Sequence, residues 1–526
     1  MKQILISILD KESDVISVSH YITSLKAKHP ISEIKVLTLK KHTGLVKTLN
    51  YVDEIFSLDQ DDISSTLKNP IYSDAFALNS FFESISTCME TQWDIFCNFS
   101  NDLTSSYLAS IFDAKESFGT MIAPTGNPLT HNIWASYQNF AMPKQNKHIL
   151  NRQLIRHQMS QIEHIHSYKR LKSDPNLDAT AKSNFDKIRF HNSISSKRII
   201  AINVEHSYSG LIFKEDMLCS LIEDINLDES VCPVILTQGT AKEINLINAI
   251  NKRFDNSIVS INAKSEALPS VLRNIDLLVS LENNTLIMSD ALNIKTIEVK
   301  DKSFSQASYL LNNGYAIYAN EVNSVKNDLA FIINQELETT LSVNKVNSPN
   351  KTYAIVYDDY SLLETQINGP VDIEEELNYH LTRYYHFQLL GKTRSTQLTN
   401  HLRNAVDSKV LTDYLFKVKE EIDNSLKTVL GSIRNAPMAN NSKVHSQNFL
   451  NNLDQINEKA LANTITSAPF CIFEAKLENL PSGDKDGNLR AIEVCLYELK
   501  DDLQMLITIV EDMLRPQKRM DQSIEI

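Results

Sequence analysis

The chain is poor in glycine: 11 residues in 526, where ordinary usage is about 7%. Loops that cradle phosphate usually need glycine for positive φ and close backbone approach. Neither a P-loop nor a GxGxxG turn is therefore expected, and the sequence contains neither. Cysteine is scarce too. Cys88, Cys97, Cys219, Cys232, Cys471 and Cys495 are scattered with no CxxC pair, which speaks against the common zinc and dithiol spacings and for reduced core thiols. Long apolar runs are missing: no stretch approaches the roughly 20 residues of a membrane span. The first apolar run, ILISIL, is brief and is followed by Asp10, Lys11 and Glu12, unlike a signal peptide. Excess positive charge is missing as well. A net charge of -13 and a pI near 5.6 argue against a dedicated nucleic-acid binder. What remains is a soluble globular composition, 42% hydrophobic and 22% charged, long enough for about three domains and expected in the cytoplasm.

The stretch Asn274 to Val299 organises what is there. An apolar strand (Leu277 to Leu281), a polar turn carrying Glu282, Asn283 and Asn284, a helix to about Leu292 and a second strand from Lys295 make a short β/α/β unit. Largely apolar runs around a helix are what a parallel sheet buried on both faces requires. In such sheets ligands sit beyond the carboxyl ends of the strands, against helix N-termini, and Glu282 to Thr285 stand at that place.

The same alternation runs from the start of the chain. MKQILIS, EIKVLTL and YVDEIFSLD read as strands with helices between them, the first helix beginning near Asp14 with Val15, Val18, Ile22 and Leu25 at helical spacing. WDIFCNFS and LTSSYLASIFDA add a strand and a helix. Pro128 to Lys187 is polar, helical in pattern and rich in His, Gln and Lys, and reads as a connection. From RIIAINV onward strands and helices alternate again. The fold class is α/β: two doubly wound, Rossmann-like lobes, residues 1–145 and 196–340, joined by residues 146–195 and followed by a mainly α-helical extension, 353–526.

The order of these segments resembles glycosyltransferase family 9, the heptosyltransferase type. ILISILDKESDV to YVDEIFSLD matches that family's strand, loop with a Gly-Asp pair, helix ending in "LKxxxP", strand and "YVDE". WDIFCNFSNDLTSSYLASIFDAKESFG, ILTQGTAKEINLINAI and LLVSLENNTLIMSDALNIKTIEV match later family segments in the same order, over about the first 330 residues. The resemblance implies the GT-B arrangement, two lobes facing a cleft. The second lobe would hold a nucleotide sugar, an ADP-linked one being the family's example, as a substrate and not a cofactor, and the first would hold a glycan or protein acceptor. It implies inverting transfer in the cytoplasm, at the inner face of the membrane for a lipopolysaccharide acceptor.

By the same match Asp14 falls on the family's aspartate, the base that takes a proton from the acceptor hydroxyl; helix capping by Ser13 and Asp14 explains the residue types equally well. Glu243, four residues after Gly239, falls where the family uses a glutamate toward the nucleotide ribose, and it also suits a helix start. Glu282, Asn283, Asn284 and Thr285 occupy the donor loop, where the family has "DTGPMH". Asn284 is a candidate for the left-handed conformation that the missing glycine would adopt. The family's "HPGAS" is replaced by Asn203 to Ser207, and its lysine by Leu211 to Phe213. A leaving diphosphate needs cations or N–H donors, and Lys214 or Lys242 would have to supply the charge. These departures keep a rival open: a GT-B scaffold without turnover that acts by binding through its helical extension. His157, His164, His166 and His206 raise a metal reading, but His164 and His166 lie two apart in a helical pattern and face different ways, so solvated helix histidines are expected.

In the extension, Asp372 and Glu375 form a capping-box-like pattern before a helix, and Leu411, Leu415, Val418, Ile422 and Leu426 mark a second. Leu489, Ile492, Leu496, Leu499, Leu503, Leu506, Val510 and Met513 alternate three and four apart, which suits a bundle helix or a coiled coil joining copies into a homo-oligomer.

Overall fold

In a computed structural model, the structure describes residues 1–68, 74–100, 102–123, 126, 128–141, 152–165, 170–172, 174–190, 197–264, 266–301, 308, 310, 312, 314–319, 321, 324–339, 341, 348–357, 362–370, 372–389, 408–462, 466–478, 480 and 484–514. The chain divides into two compact units. The first holds residues 1–126, 151–304 and 308–370, and the second residues 127–150, 305–307 and 371–526.

Both lobes lie in the first unit. In the first lobe, β1 (Lys2–Ile8), α1 (Glu12–Lys28), β2 (Ser32–Leu39), α2 (Thr43–Thr48), β3 (Glu54–Leu58), α3 (Gln60–Lys68), α4 (Asp74–Glu90), β4 (Trp93–Asn98), α5 (Leu103–Ala109) and β5 (Ala114–Ile122) follow in order. The strands stand β3-β2-β1-β4-β5, all parallel. Leu5, Leu37, Trp93 and Phe96 belong to one hydrophobic cluster against this sheet. A short strand β6 (Pro128–Thr130) and helix α6 (Ile133–Ser136) fall in the second unit. The expected connection supplies α7 (Arg152–Met159) and α8 (Pro175–Arg189).

The second lobe is built from β7 (Arg198–Asn203), α9 (Glu215–Asn226), β8 (Val231–Thr237), α10 (Ala241–Arg253), β9 (Val259–Asn262), α11 (Leu268–Leu272), β10 (Leu277–Leu281), α12 (Asn284–Ala291), β11 (Thr296–Asp301), β12 (Gly314–Ala319), α13 (Lys326–Leu337), β13 (Lys351–Tyr357) and β14 (Leu362–Asn368). Its sheet order is β14-β13-β12-β11-β10-β7-β8-β9. Every residue of β10 is buried, as an apolar run between helical layers requires. The expected organiser is thus the centre of the larger sheet.

Two boundaries differ from the sequence reading. β13 pairs antiparallel with β12, and β14 with β13. Residues 351–368 therefore finish the second sheet and do not begin the helical extension at 353; the first unit ends at Pro370. The backbone donors of these residues are satisfied by the sheet, which local polarity could not reveal. Residues 127–150 group with the extension and not with the first lobe.

Among its described residues the second unit contains α14 (Ile373–Leu389), α15 (Ser408–Asn435), α16 (Lys443–Leu461), α17 (Ser467–Glu478) and α18 (Lys485–Leu514). The three-and-four stripe of α18 packs on α15 within the chain: Leu496, Leu499, Leu503, Leu506 and Val510 are buried, as are Leu411, Leu415, Val418 and Ile422. The stripe builds an intramolecular bundle. No helix among the described residues is long and apolar enough to cross a membrane.

Candidate active site

In an open parallel sheet the crevice forms where neighbouring strands send their connections to opposite faces. For the first sheet that point lies between β1 and β4, and for the second between β7 and β10. The residues just beyond these four strands therefore decide the chemistry. They are Leu9 to Glu12 after β1, Phe99 to Asp102 after β4, Val204 to Tyr208 after β7, and Glu282 to Thr285 after β10.

A cleft of about 770 Å³ opens at the first of these points, lined among others by Asp10, Lys11, Glu12, Asp14, Lys41, His42, Asp102, Arg152 and Tyr208. Tyr208 comes from the second lobe. Its N–H donates to the Glu282 carbonyl at 2.9 Å, and its hydroxyl donates to Asn284 Oδ1 at 2.7 Å. The Asn284 amide donates in turn to Glu12, so one hydrogen-bonded chain spans both lobes. Behind it α1 packs along α12, with His20 Nε2 3.2 Å from Asp290 Oδ2 and both side chains buried. That position explains why α1 buries Ser17, Ser19, His20 and Ser24 besides its apolar stripe: small polar side chains let helices approach closely on more than one face.

Asp14 lines the cleft, but it is not a helix cap. α1 starts two residues earlier, with Lys11 at the N-cap and no side-chain capping bond. The Asp14 carboxylate is taken by the crossover helix α7. Arg156 Nη2 donates to Oδ1 at 2.7 Å, and Arg152 Nη1 lies 3.2 Å from Oδ1 and 3.3 Å from Oδ2. Arg156, fully buried, also donates to Ser17 Oγ at 2.6 Å. Burial alone would raise the Asp14 pKa, but the charges and hydrogen bonds of Arg156 and Arg152 outweigh it and hold the carboxyl below its ordinary range.

Asp10 has the opposite surroundings. Burial and the neighbouring Asp14 charge push it up to about 6, against the opposing pull of Arg156 and Arg152. Among the described residues its buried Oδ2 has no hydrogen-bond partner. In the sequence Asp10 is simply the first carboxylate beyond an apolar strand; only the strand order places it at a switch point.

At the second switch point Asn203 Nδ2 donates to Ser280 Oγ and to Asn283 Oδ1, both at 3.1 Å. Asn283 caps α12 through Leu286 N. Thr285 Oγ1 donates to Glu205 Oε2 at 2.9 Å. Burial raises Glu205 to about 7; the hydrogen bonds from Thr285 and Asn203 oppose this, while the charges of Glu243 and Glu12 add to it. Glu205 is a second carboxylate that the sequence reading left out. Asn283, Asn284 and Thr285 are thus gathered as expected, but Asn284 is the first residue of a regular helix and is absent from the positive-φ residues, so the left-handed role does not arise. Glu282 is buried and is not part of the cleft lining.

Gly239 and Glu243 form a separate device after β8. Glu243 Oε2 accepts from Thr237 Oγ1 at 2.6 Å, Gln238 N at 2.9 Å and Gly239 N at 3.1 Å. Burial works to raise its pKa, but these bonds prevail and lower it. Gly239 stands at φ +84°, and a Cβ there would come within 2.5 Å of the Asn262 side chain, so here glycine is favoured. Glu243 thereby braces its own loop with one of its oxygens. Lys214 and Lys242 are exposed at the starts of α9 and α10 and do not line the cleft, and Phe213 is buried. The cations at the cleft are Lys11, Lys41 and Arg152.

The histidines depart from expectation. His157 is buried against Tyr21 and His164, its pKa driven down to about 4 mainly by burial. His164 lies beyond the end of α7, after Gln161 at φ 50°, so a helical two-residue offset does not apply; His166 lies outside the described residues. These are packed side chains, not solvated ones. Among the described residues no group of three or more His, Cys, Asp and Glu could hold a metal ion.

Two Rossmann-like lobes in one compact unit, with a cleft at the first switch point, have the GT-B arrangement, and a helical region completes the chain. The chain is similar in structure to a glycosyl transferase family 9 protein from Veillonella parvula, with a TM-score of 0.45 and 12% identity over 65% of this chain and 90% of that one. It is similar to E. coli heptosyltransferase WaaC, solved with ADP-2-deoxy-2-fluoro heptose (TM-score 0.45, 12% identity, 63% of this chain and 99% of that one). It is similar also to E. coli ADP-heptose lipopolysaccharide heptosyltransferase II (TM-score 0.45, 11% identity, 64% of this chain and all of that one, 100%). No family model matches the sequence, and no curated protein sequence matches it.

Proposed function

We propose that the protein is a glycosyltransferase that moves a sugar, with inversion, from a nucleotide-sugar donor to a hydroxyl of a glycan or protein acceptor. The observation that carries this reading is the placement of ionisable and polar groups at both switch points of a two-lobed unit: Asp10, Asp14, Asp102 and Arg152 around one opening, and Glu205 with Asn283 and Thr285 at the facing strand ends. Inverting transfer asks for a carboxylate beside the acceptor hydroxyl and for polar groups that receive a departing diphosphate. The resemblance assigns the first role to Asp14 and the donor to the loops holding Gly239, Glu243, Glu282, Asn283, Asn284 and Thr285. Lys11, Lys41 and Arg152 are basic groups that line the cleft where an anionic substrate would sit.

The test is calorimetric titration with ADP-, GDP-, UDP- and CMP-sugars. Saturable binding of one donor class is expected; absence of binding to all four removes the reading. The rival, a scaffold without turnover, draws support from Glu243, whose hydrogen bonds are spent on its own loop. A donor that binds and is never consumed with any acceptor would establish that rival.

A further inference from the structure

We propose that Asp10, and not Asp14, is the group that takes the proton from the attacking hydroxyl, while Asp14 is a positioning residue that anchors Arg152 and Arg156 beside it. The inference rests on the glycosyltransferase reading and goes beyond it, since the resemblance gives the base role to Asp14.

The geometry separates the two carboxylates. A base needs an oxygen that a substrate O–H can reach and that no stronger donor already occupies. Both Asp14 oxygens face guanidinium groups at 2.7 to 3.3 Å, and one of those groups belongs to the fully buried Arg156. For Asp14 to accept a proton, the buried Arg156 would lose its counter-charge inside the protein and Arg152 would lose its partner at the cleft, which opposes protonation. Asp10 is only half-buried and lines the same opening, and among the described residues its Oδ2 has no hydrogen-bond partner, so no guanidinium competes for its carboxylate as one does for Asp14. It stands directly beyond β1, at the switch point where a reacting group belongs. The groups facing it are Asp14 from α1, Arg152 and Arg156 from α7, and Asp102 at the N-cap of α5, with Lys11, Glu12, Lys41 and His42 along the same wall. Burial and Asp14 leave Asp10 at about 6, so near neutral pH it is ionised but more basic than an ordinary aspartate, as a general base should be.

In the step, the acceptor oxygen forms a bond to the anomeric carbon as its proton passes to the Asp10 carboxylate where it meets the cleft. The bond from that carbon to the diphosphate oxygen breaks, and its electron pair leaves on the diphosphate. Asp10 then returns the proton to solvent. Water in place of the acceptor gives the same balance and releases free sugar.

Wild type, Asp10→Asn, Asp10→Glu and Asp14→Asn would be titrated with the four donor classes. Nucleotide release from the donor that binds, with water as acceptor, would then be followed from about pH 4.5 to about pH 8. Asp10→Asn is expected to lose release at least ~100-fold with donor affinity held within about twofold, and Asp10→Glu to restore part of the rate. Wild-type release should rise through pH about 6. Asp14→Asn should lower the rate less and move that rise to lower pH, because Asp14 is one of the charges that raise Asp10. If Asp10→Asn keeps its rate, or if wild type binds donor and releases no nucleotide at any pH, the base assignment is overturned and donor binding still stands. If no donor binds, the glycosyltransferase reading and the base assignment fall together. Should Asp14→Asn not fold, the two Asp10 variants and the pH profile decide.

Discussion

The loop after β1 and the loop after β8 solve opposite problems with a carboxylate at a helix start. Asp14 in α1 is neutralised from outside, by two arginines that arrive 138 and 142 residues later in the chain. Glu243 in α10 is satisfied from inside, by the hydroxyl and backbone N–H groups of its own turn. The first loop depends on tertiary contacts, and its neighbour Asp10 is left with a reactive oxygen. The second is a local brace that would survive without the rest of the lobe. A charged group in a candidate site is thus informative only once its partners are known.

The largest way to break this contrast is Arg156→Leu, which strips the short ion pair from a buried carboxylate. A loss of about 3 to 5 kcal/mol is expected, read by denaturant unfolding, with much of it recovered when Asp14→Asn is added because the uncompensated charge is then gone. Asp10→Asn sharpens the contrast from the other side. Asp10 has a folded pKa of about 6 against an ordinary 3.8, so its ionisation opposes folding. That penalty grows as pH rises from the ordinary value to the folded one and is constant above. The variant should therefore be more stable by up to about 3 kcal/mol at neutral pH and no different below both values. A thermal unfolding series against pH checks this, and a gain in stability together with lost turnover would mark a site kept reactive at a cost to the fold.

Glu243→Gln should cost about 1 to 2 kcal/mol near neutral pH. The Glu243 pKa is depressed in the fold, so its contribution is present above the ordinary glutamate range and disappears as pH falls through the lower folded value. The penalty in the variant should vanish in acid. Gly239→Ala, at φ +84°, should cost about 1 kcal/mol, because the nearest obstacle is an amide side chain able to turn aside. Both are measurable by denaturant midpoint, and equal effects in a deletion lacking residues 371–526 would confirm that the brace is local.

The strands of both lobes were legible because parallel strands buried on two faces read as apolar runs; Leu277–Leu281 matches its expected span. The donor turn was legible for the same reason, as the polar interruption between β10 and α12. Asp10 and Glu205 were not. Their importance comes from β1 lying beside β4 and β7 beside β10, and strand adjacency is not written in linear order. The arginines were hidden for a related cause: Arg152 and Arg156 sit in a polar helix that looks like a solvated connector until it packs against α1. His157 was misread on the same helix, where polarity concealed burial.

The two antiparallel strands that close the larger sheet bear on how the protein should be dissected. A chain cut near residue 350, where the sequence turns polar, would leave β12 with a row of open backbone donors and acceptors. Exposed ladders of that kind recruit other chains, so such a fragment is expected to precipitate or to associate for reasons unrelated to the helices it has lost. Excision after Pro370 keeps the outermost strand in place and gives a fair trial of the lobes alone.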